Sequence, residues 1–292
     1  MITYKSVQEL VDKALEAGKS ISELVLSDQS LQLETTEEDL YRKMEENFEV
    51  MKQSIEEGLK CGRSPSGLSG GAAQKLRFAV NAGQNIGGRI FSETLVKALA
   101  VAEYNASTGK IVAAPTAGSC GIIPAVLVTI TEEKGLSEDS VVKSLFAAAG
   151  IGMVIANRAS ISGAEGGCQA ECGSASAMAA AAAVELLGGS PYQAANACAI
   201  ALKNTLGLVC DPVAGLVEIP CIKRNAMGAA NALVAAELAL AGIESAIPAD
   251  EVIDAMKSVG ELMPESLKET AKGGLAATPS AKRIARQLFK NG

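Results

Sequence analysis

Along most of this chain apolar residues recur every three or four positions, and the strict alternation of a half-buried strand is missing. Val7, Leu10, Val11 and Leu15 share one helical face, as do Leu40, Met44, Phe48, Met51 and Ile55. Thr36, followed three residues later by Asp39, has the form of an N-cap pair for the second of these helices. Residues 1–60 are strongly charged and read as a helical N-terminal segment, largely solvated and packed on the rest of the chain. A Gly-, Ser- and Pro-rich loop over 61–71 opens the remainder, 61–292, in which charge thins out. There the pattern predicts helices over 72–80, 91–107, 121–132, 138–156, 170–187, 191–206, 223–242, 249–258 and 280–289. Residues 111–114 are the one short strand candidate. The expected fold is all-α: a compact multi-helix domain with loops rich in Gly, Ser, Thr and Pro, preceded by the charged helical segment.

Composition sharpens this picture. A chain of 292 residues, 48% of them hydrophobic, is ample for a sizeable core. Aromatic residues are only 3% and Trp is absent, so the core must pack through alanine and glycine, which suits closely apposed helices. A net charge of -7 with no basic patch argues against nucleic acid as a partner. A local site can still receive an anion. The first ten residues open an amphipathic helix rather than a secretion signal. The apolar run over 177–187 is interrupted by Glu185 and falls short of the roughly 20 residues that span a bilayer. The expectation is a cytoplasmic protein without a membrane partner. Seven cysteines, an odd number in a chain without a secretion signal, favour reduced thiols and metal ligation over disulfides.

Three of those cysteines have settings unlike that of a packing residue. Cys168 closes the glycine-rich loop Ser162-Gly163-Ala164-Glu165-Gly166-Gly167-Cys168-Gln169. Cys210 and Cys221 bracket a stretch stiffened by Pro212 and Pro220. There is no histidine. Three thiolates without imidazole point to a soft, thiolate-held metal centre, one ligand short of a closed four-coordinate site. Their intervals match neither paired zinc knuckles nor a ferredoxin run, so spacing alone says little. Cys198, inside an alanine-rich helical run, reads as a small buried hydrophobe, and so does Cys61. Cys172 could share a helix face with Cys168, and Cys120 lies in a candidate substrate loop.

Two loops precede apolar helices, Ala114-Pro115-Thr116-Ala117-Gly118-Ser119-Cys120-Gly121 and Ser160-Ile161-Ser162-Gly163-Ala164-Glu165-Gly166-Gly167. Free N–H groups at a helix start, hydroxyls and small glycines make each a candidate anion site, although Ser and Thr are also ordinary caps. Lys223-Arg224-Asn225 follows Cys221. Arg224 could clamp a carboxylate and a desolvated Lys223 could serve as a base; a charged helix start is the plain alternative. The missing histidine excludes serine-triad, Cys–His and H-E-x-x-H schemes within this chain. Acid–base work falls to Lys, Glu, Asp, Cys, Ser or Tyr, to a metal-bound ligand or to another subunit.

Pro115-Thr116-Ala117-Gly118-Ser119, the segments over 160–171 and 207–226, and Gly273-Gly274-Leu275-Ala276-Ala277-Thr278-Pro279 resemble the alpha part of the iron–sulfur-dependent bacterial L-serine dehydratases. The resemblance runs over nearly the whole chain. It implies a lyase that converts L-serine to pyruvate and ammonia on a [4Fe–4S] cluster, without pyridoxal phosphate. The family's three cluster ligands fall on Cys168, Cys210 and Cys221, leaving one iron open as a Lewis acid for the substrate hydroxyl. It also implies a helical fold. Thr116, Ala117, Gly118, Ser119, Ser162, Gly163, Arg224 and Asn225 are then the candidates for substrate binding, and Lys223, Ser162 and Ser119 for proton transfer. Some members fuse a beta part to the alpha part. This chain has the length of the alpha part alone, so a separate beta subunit, carrying the family's histidines, is expected. A C-terminal cysteine that plugs the open iron in some single-chain relatives has no counterpart in Phe289-Lys290-Asn291-Gly292. Two other readings stand beside this one: desulfidase-type elimination from cysteine on the same cluster, and a structural or sensory iron–sulfur or zinc protein.

Overall fold

A computed structural model describes residues 4–290. Among them the regular structure is helical, and the 111–114 strand candidate is irregular backbone. The principal helices are α1 (Val7–Glu16), α2 (Ile21–Gln32), α3 (Glu37–Gly58), α4 (Ala72–Asn81), α5 (Arg89–Ala106), α6 (Ile122–Lys134) and α7 (Glu138–Arg158). A single turn, α8 (Gly163–Gly166), leads to α9 (Ser174–Leu186), α10 (Pro191–Lys203), α11 (Cys221–Leu240), α12 (Ala249–Leu262) and α13 (Pro279–Lys290).

The architecture follows from α9. Its sequence, Ser-Ala-Ser-Ala-Met-Ala-Ala-Ala-Ala-Ala-Val-Glu-Leu, has high helix propensity and no polar face, so it must be surrounded. It lies at the centre of the bundle and packs on α6, α7, α10 and α11. The alanine surface lets neighbours approach closely. A methyl group on Gly152 of α7 would stand 2.8 Å from the Met178 Cε of α9. Helix α7 is long and apolar enough to cross a membrane by composition, yet 67% of its most apolar stretch is buried inside the fold, as in the core helix of a globular protein.

The helix starts are tied down by local hydroxyl caps and by carboxylates from elsewhere in the fold. Thr36 caps α3 by accepting the Asp39 N–H at 3.0 Å, the pair marked by the sequence. Ser20 and Glu23 form a capping box on α2, whose Ser22 N–H also donates to Glu185 of α9. Asp250 of α12 accepts the Val7 and Gln8 N–H groups at the start of α1. Helix α4 begins at Gly71, which has no side chain to cap it, and the buried Glu103 of α5 accepts the Ala72 and Ala73 N–H groups instead. Each contact satisfies donors that a helix start leaves free, and Glu185, Asp250 and Glu103 also bring a carboxylate to the positive end of the helix.

The first three helices share the core of the body. Leu10, Ile21 and Val25 are fully buried and meet Gly150 on α7. At one end of the bundle several starts converge: that of α6, the turn before α9 and the first turn of α11. The segment after α10 joins them, held by the strip over 265–277.

Candidate active site

The thiols named by the sequence meet at this convergent end. Cys168 precedes a π-helical turn, Gln169–Gly173, the kind of bulge that redirects side chains and recurs at functional sites. The buried Gln169 fixes this turn, donating to the Met256 carbonyl of α12 and accepting the Gly207 N–H. Cys221 is the first residue of α11. Cys210 is held by backbone pairing on both sides: its N–H donates to the Leu267 carbonyl at 2.9 Å, and its carbonyl accepts the Glu269 N–H at 2.8 Å. Asp211 then accepts the Leu275 N–H at 2.7 Å. Gly274 makes room for that carboxylate, since a Cβ there would lie 2.4 Å from it. The Gly273-Gly274-Leu275 motif therefore serves to lock the Cys210 segment.

Burial pushes the Cys210 thiol up, helped by the nearby Glu171 charge, and pushes Cys221 up to about 12. Cys168 is pulled below the ordinary thiol range, by its hydrogen bond with Cys172 and by the Arg224 guanidinium. The Cys168 and Cys172 sulfurs are 3.4 Å apart. Cys172 is held well above the ordinary range by the same hydrogen bond and by complete burial. Cys198 is buried in α10 and Cys120 behind the 116–119 turn, where desolvation raises each to about 12. The Cys61 S–H donates to the Gly58 carbonyl, away from the other thiols in sequence and at the end of α3.

The two hydroxyl-bearing loops close around a carboxylate. Glu171, on the π turn, accepts the Thr116 hydroxyl at 2.9 Å through Oε1. Its Oε2 faces Cys210, whose S–H is 4.0 Å away. Glycines flank it on both sides: a Cβ on Gly118 would stand 3.3 Å from Oε1, and one on Gly163 would stand 2.7 Å from Oε2 and 3.0 Å from the Cys210 sulfur. Burial raises the Glu171 carboxyl above the usual range. The sequence quoted Glu171 within a motif without giving it a role. Its acidic character amid donor-rich loops was the available signal.

The remaining candidates divide. Ser119 is buried and shares a 3.1 Å hydrogen bond with Thr116. Ser162 is half-buried beside Gly163, and Ala117 is exposed with its carbonyl accepting from Asn105. Asn225 spends its whole amide on architecture: Oδ1 accepts the Gly121 N–H at 2.9 Å, and Nδ2 donates to the Gly118 and Cys221 carbonyls at 2.8 and 3.0 Å. It joins the 116–121 loop to Cys221. Arg224 donates to the Val209 carbonyl at 2.7 Å and pairs with Asp211 at 2.8 Å, so its guanidinium is held between the Cys210 segment and Cys168. Lys223 is exposed on the first turn of α11. Sequence reasoning also passed over Glu218, three residues before Cys221. Its buried carboxylate accepts hydroxyls from Ser64, Ser66 and Ser69, pinning the 64–69 loop to the Cys221 segment. A surface hollow of about 150 Å³ lies behind the α8 turn, between Ser160, Glu165 and Lys257, apart from the thiols.

The three thiols fit a group larger than one ion. Among the described residues no three Cys, Asp or Glu side chains close on a single metal position. Cys168, Cys210 and Cys221 nevertheless influence one another's ionisation across a common space. Gly163 packs its backbone against Cys210, where a Cβ would stand 3.0 Å from the sulfur. An all-sulfur donor set spread in this way suits an iron–sulfur cluster, which cysteine thiolates hold.

Fold and site together define a helical protein with a thiol-lined, carboxylate-bearing centre. Residues 16–276 match the family model of the serine dehydratase alpha chain. The chain is 49% identical over 286 residues to the probable L-serine dehydratase alpha chain of Bacillus subtilis, covering 98% of this chain and 95% of that one. It is 46% identical over 288 residues to the L-serine dehydratase alpha chain of Peptoniphilus asaccharolyticus, covering 98% and 99%. Against the L-serine dehydratase of Streptomyces coelicolor it is 42% identical over 281 residues, 94% of this chain but 60% of the relative. The chain belongs to the serine dehydratase alpha chain family.

Proposed function

We propose that this chain is the alpha subunit of a cytoplasmic L-serine dehydratase that works with a separate beta subunit and without pyridoxal phosphate. In this reading Cys168, Cys210 and Cys221 hold a [4Fe–4S] cluster, and L-serine leaves as pyruvate and ammonia. What supports it is that those three thiols, from three separate segments, come near enough at one end of the bundle for their charges to bear on one another, with Glu171 beside Cys210. The cluster supplies a Lewis acid, an iron without a protein ligand, which makes the substrate hydroxyl a better leaving group.

The chain's own groups do the rest. Asp211 and Arg224 fix the Cys210 segment, and Arg224 favours the Cys168 thiolate, the form that binds metal. Asn225 fixes Cys221 against the 116–121 loop. The half-buried Thr116 and Ser162 present hydroxyls at the edge of the site for the substrate's polar groups, with the buried Ser119 hydrogen-bonded behind Thr116. A base removes the α proton as hydroxide departs and takes up a proton to leave as water. The resulting aminoacrylate tautomerises to an imine, which water converts to pyruvate and ammonia. With no histidine in this chain, an imidazole base would come from the beta subunit. Lys223 would need that subunit's cover to be desolvated enough to serve.

The test is iron and acid-labile sulfide per chain after reconstitution without oxygen, alone and with a beta subunit. About four of each is expected, as a [4Fe–4S] centre requires. Pyruvate should form from L-serine only in the mixture and without added pyridoxal phosphate. Zinc alone, or no metal, would overturn the reading.

A further inference from the structure

We propose that the Glu171 carboxylate receives the α-ammonium group of the amino-acid substrate; this rests on the function proposed above. Oε1 is satisfied by the Thr116 hydroxyl at 2.9 Å. Oε2 has only the Cys210 thiol, at 4.0 Å. A thiolate bound to metal has no proton to give, so in the loaded enzyme Oε2 has no donor from Cys210. Glu171 is half-buried, and a carboxylate that has lost much of its water gains from a counter-charge or further donors. Among the described residues no Lys or Arg forms an ion pair with Glu171. The nearest guanidinium in the site, Arg224, is paired with Asp211. The missing cation therefore arrives with the ligand.

Gly118 and Gly163 bring bare backbone against the two carboxylate oxygens, and a methyl group at Gly163 would clash with Oε2 and with the Cys210 sulfur at once. A ligand group that reaches Oε2 therefore lies beside the Cys210 sulfur as well. An α-amino acid with a β-hydroxyl carries a three-donor cation two carbons from its leaving oxygen, so one molecule can serve both. The hydroxyl-bearing loops thus present a cation receptor at their centre, and selection for an amino acid over the corresponding hydroxy acid falls to Glu171.

The test compares wild type with Glu171→Gln in the reconstituted alpha–beta complex, using L-serine and 3-hydroxypropionate, which is serine without its amino group. The expected result is a rise in KM for L-serine of about 10- to 100-fold, the size of a lost charged hydrogen bond. Iron and sulfide content should stay unchanged. Calorimetry should show 3-hydroxypropionate binding as well to the variant as to wild type, or better. Equal weakening of both ligands, loss of the cluster, or an unchanged KM for serine would each overturn the assignment. A wild-type complex that holds no iron or leaves serine unconsumed would overturn the parent reading, and this inference with it, before the variant is measured.

Discussion

Two sulfurs on one turn, those of Cys168 and Cys172, lie 3.4 Å apart, and geometry alone lets either reach the shared space. Ionisation decides between them. A metal ligand must be a thiolate: the hydrogen bond between the two sulfurs and then the Arg224 guanidinium favour it at Cys168, whereas the same bond and complete burial oppose it at Cys172. Cys168→Ala should therefore lose most of its iron, and Cys172→Ala should keep it, measured as iron and sulfide per chain after anaerobic reconstitution. The reverse pattern would move the ligand by one helical turn. The sequence marked Cys168 by its glycine loop and left Cys172 ambiguous, because what separates them is the contact between the two sulfurs and the charge of Arg224, 52 positions further along the chain than Cys172. Glu171 escaped for a similar reason. A carboxylate beside two donor-rich loops is read as a solvated charge until the fold brings Thr116, Gly163 and Cys210 around it.

At the scale of elements, close approach is enforced by glycine. Helix α3 meets α5 where a Cβ on Gly58 would stand only 2.1 Å from the Ala100 carbonyl oxygen. That oxygen belongs to rigid helical backbone, so a side chain can be admitted only if the helices part. Gly58→Ala should cost about 3 kcal/mol, the upper range for overpacking a core. Thermal unfolding would show it as a Tm lower by several degrees, and an unchanged Tm would mean that α3 can slide without loss. Most helices of the body were legible because apolar residues kept the helical period; α7, expected over 138–156, spans Glu138–Arg158. Two features were not. Helix α2 leaves Leu31 and Leu33 exposed near its end, which blurs its period, and the Ser20–Glu23 capping box was its clearest mark. A single helix was expected over 170–187, but its first turn is the π bulge over 169–173. A bulge inserts one residue without breaking an alanine-rich pattern, so composition conceals the turn that aims Glu171.

For the molecule as a whole, the question is whether the charged N-terminal segment is an appendage. Tyr4, Val7, Leu10, Val11, Ile21 and Val25 are at most 1% exposed. Burying each contributes roughly 1.5–3 kcal/mol, on the order of 10 kcal/mol together. That is comparable with the roughly 5–15 kcal/mol of net stability of a folded domain. The α1 stripe of Val7, Leu10 and Val11 was legible in the sequence, whereas the charge around it concealed how deeply it is buried and hid the Ile21 and Val25 face of α2. The segment is also connected to the site. Asp250 of α12 caps α1, and further along the same helix Gly260 packs against Gly166, while the Met256 carbonyl holds Gln169 next to Cys168. The full chain should unfold in one thermal transition. A chain lacking residues 1–33 should expose the α7 face around Gly150, bind hydrophobic dyes and fail to retain iron. Two separate transitions, or a truncated chain with native Tm and full iron content, would show instead that α1 and α2 form an independent unit and that the Cys168 turn is ordered without the link through α12.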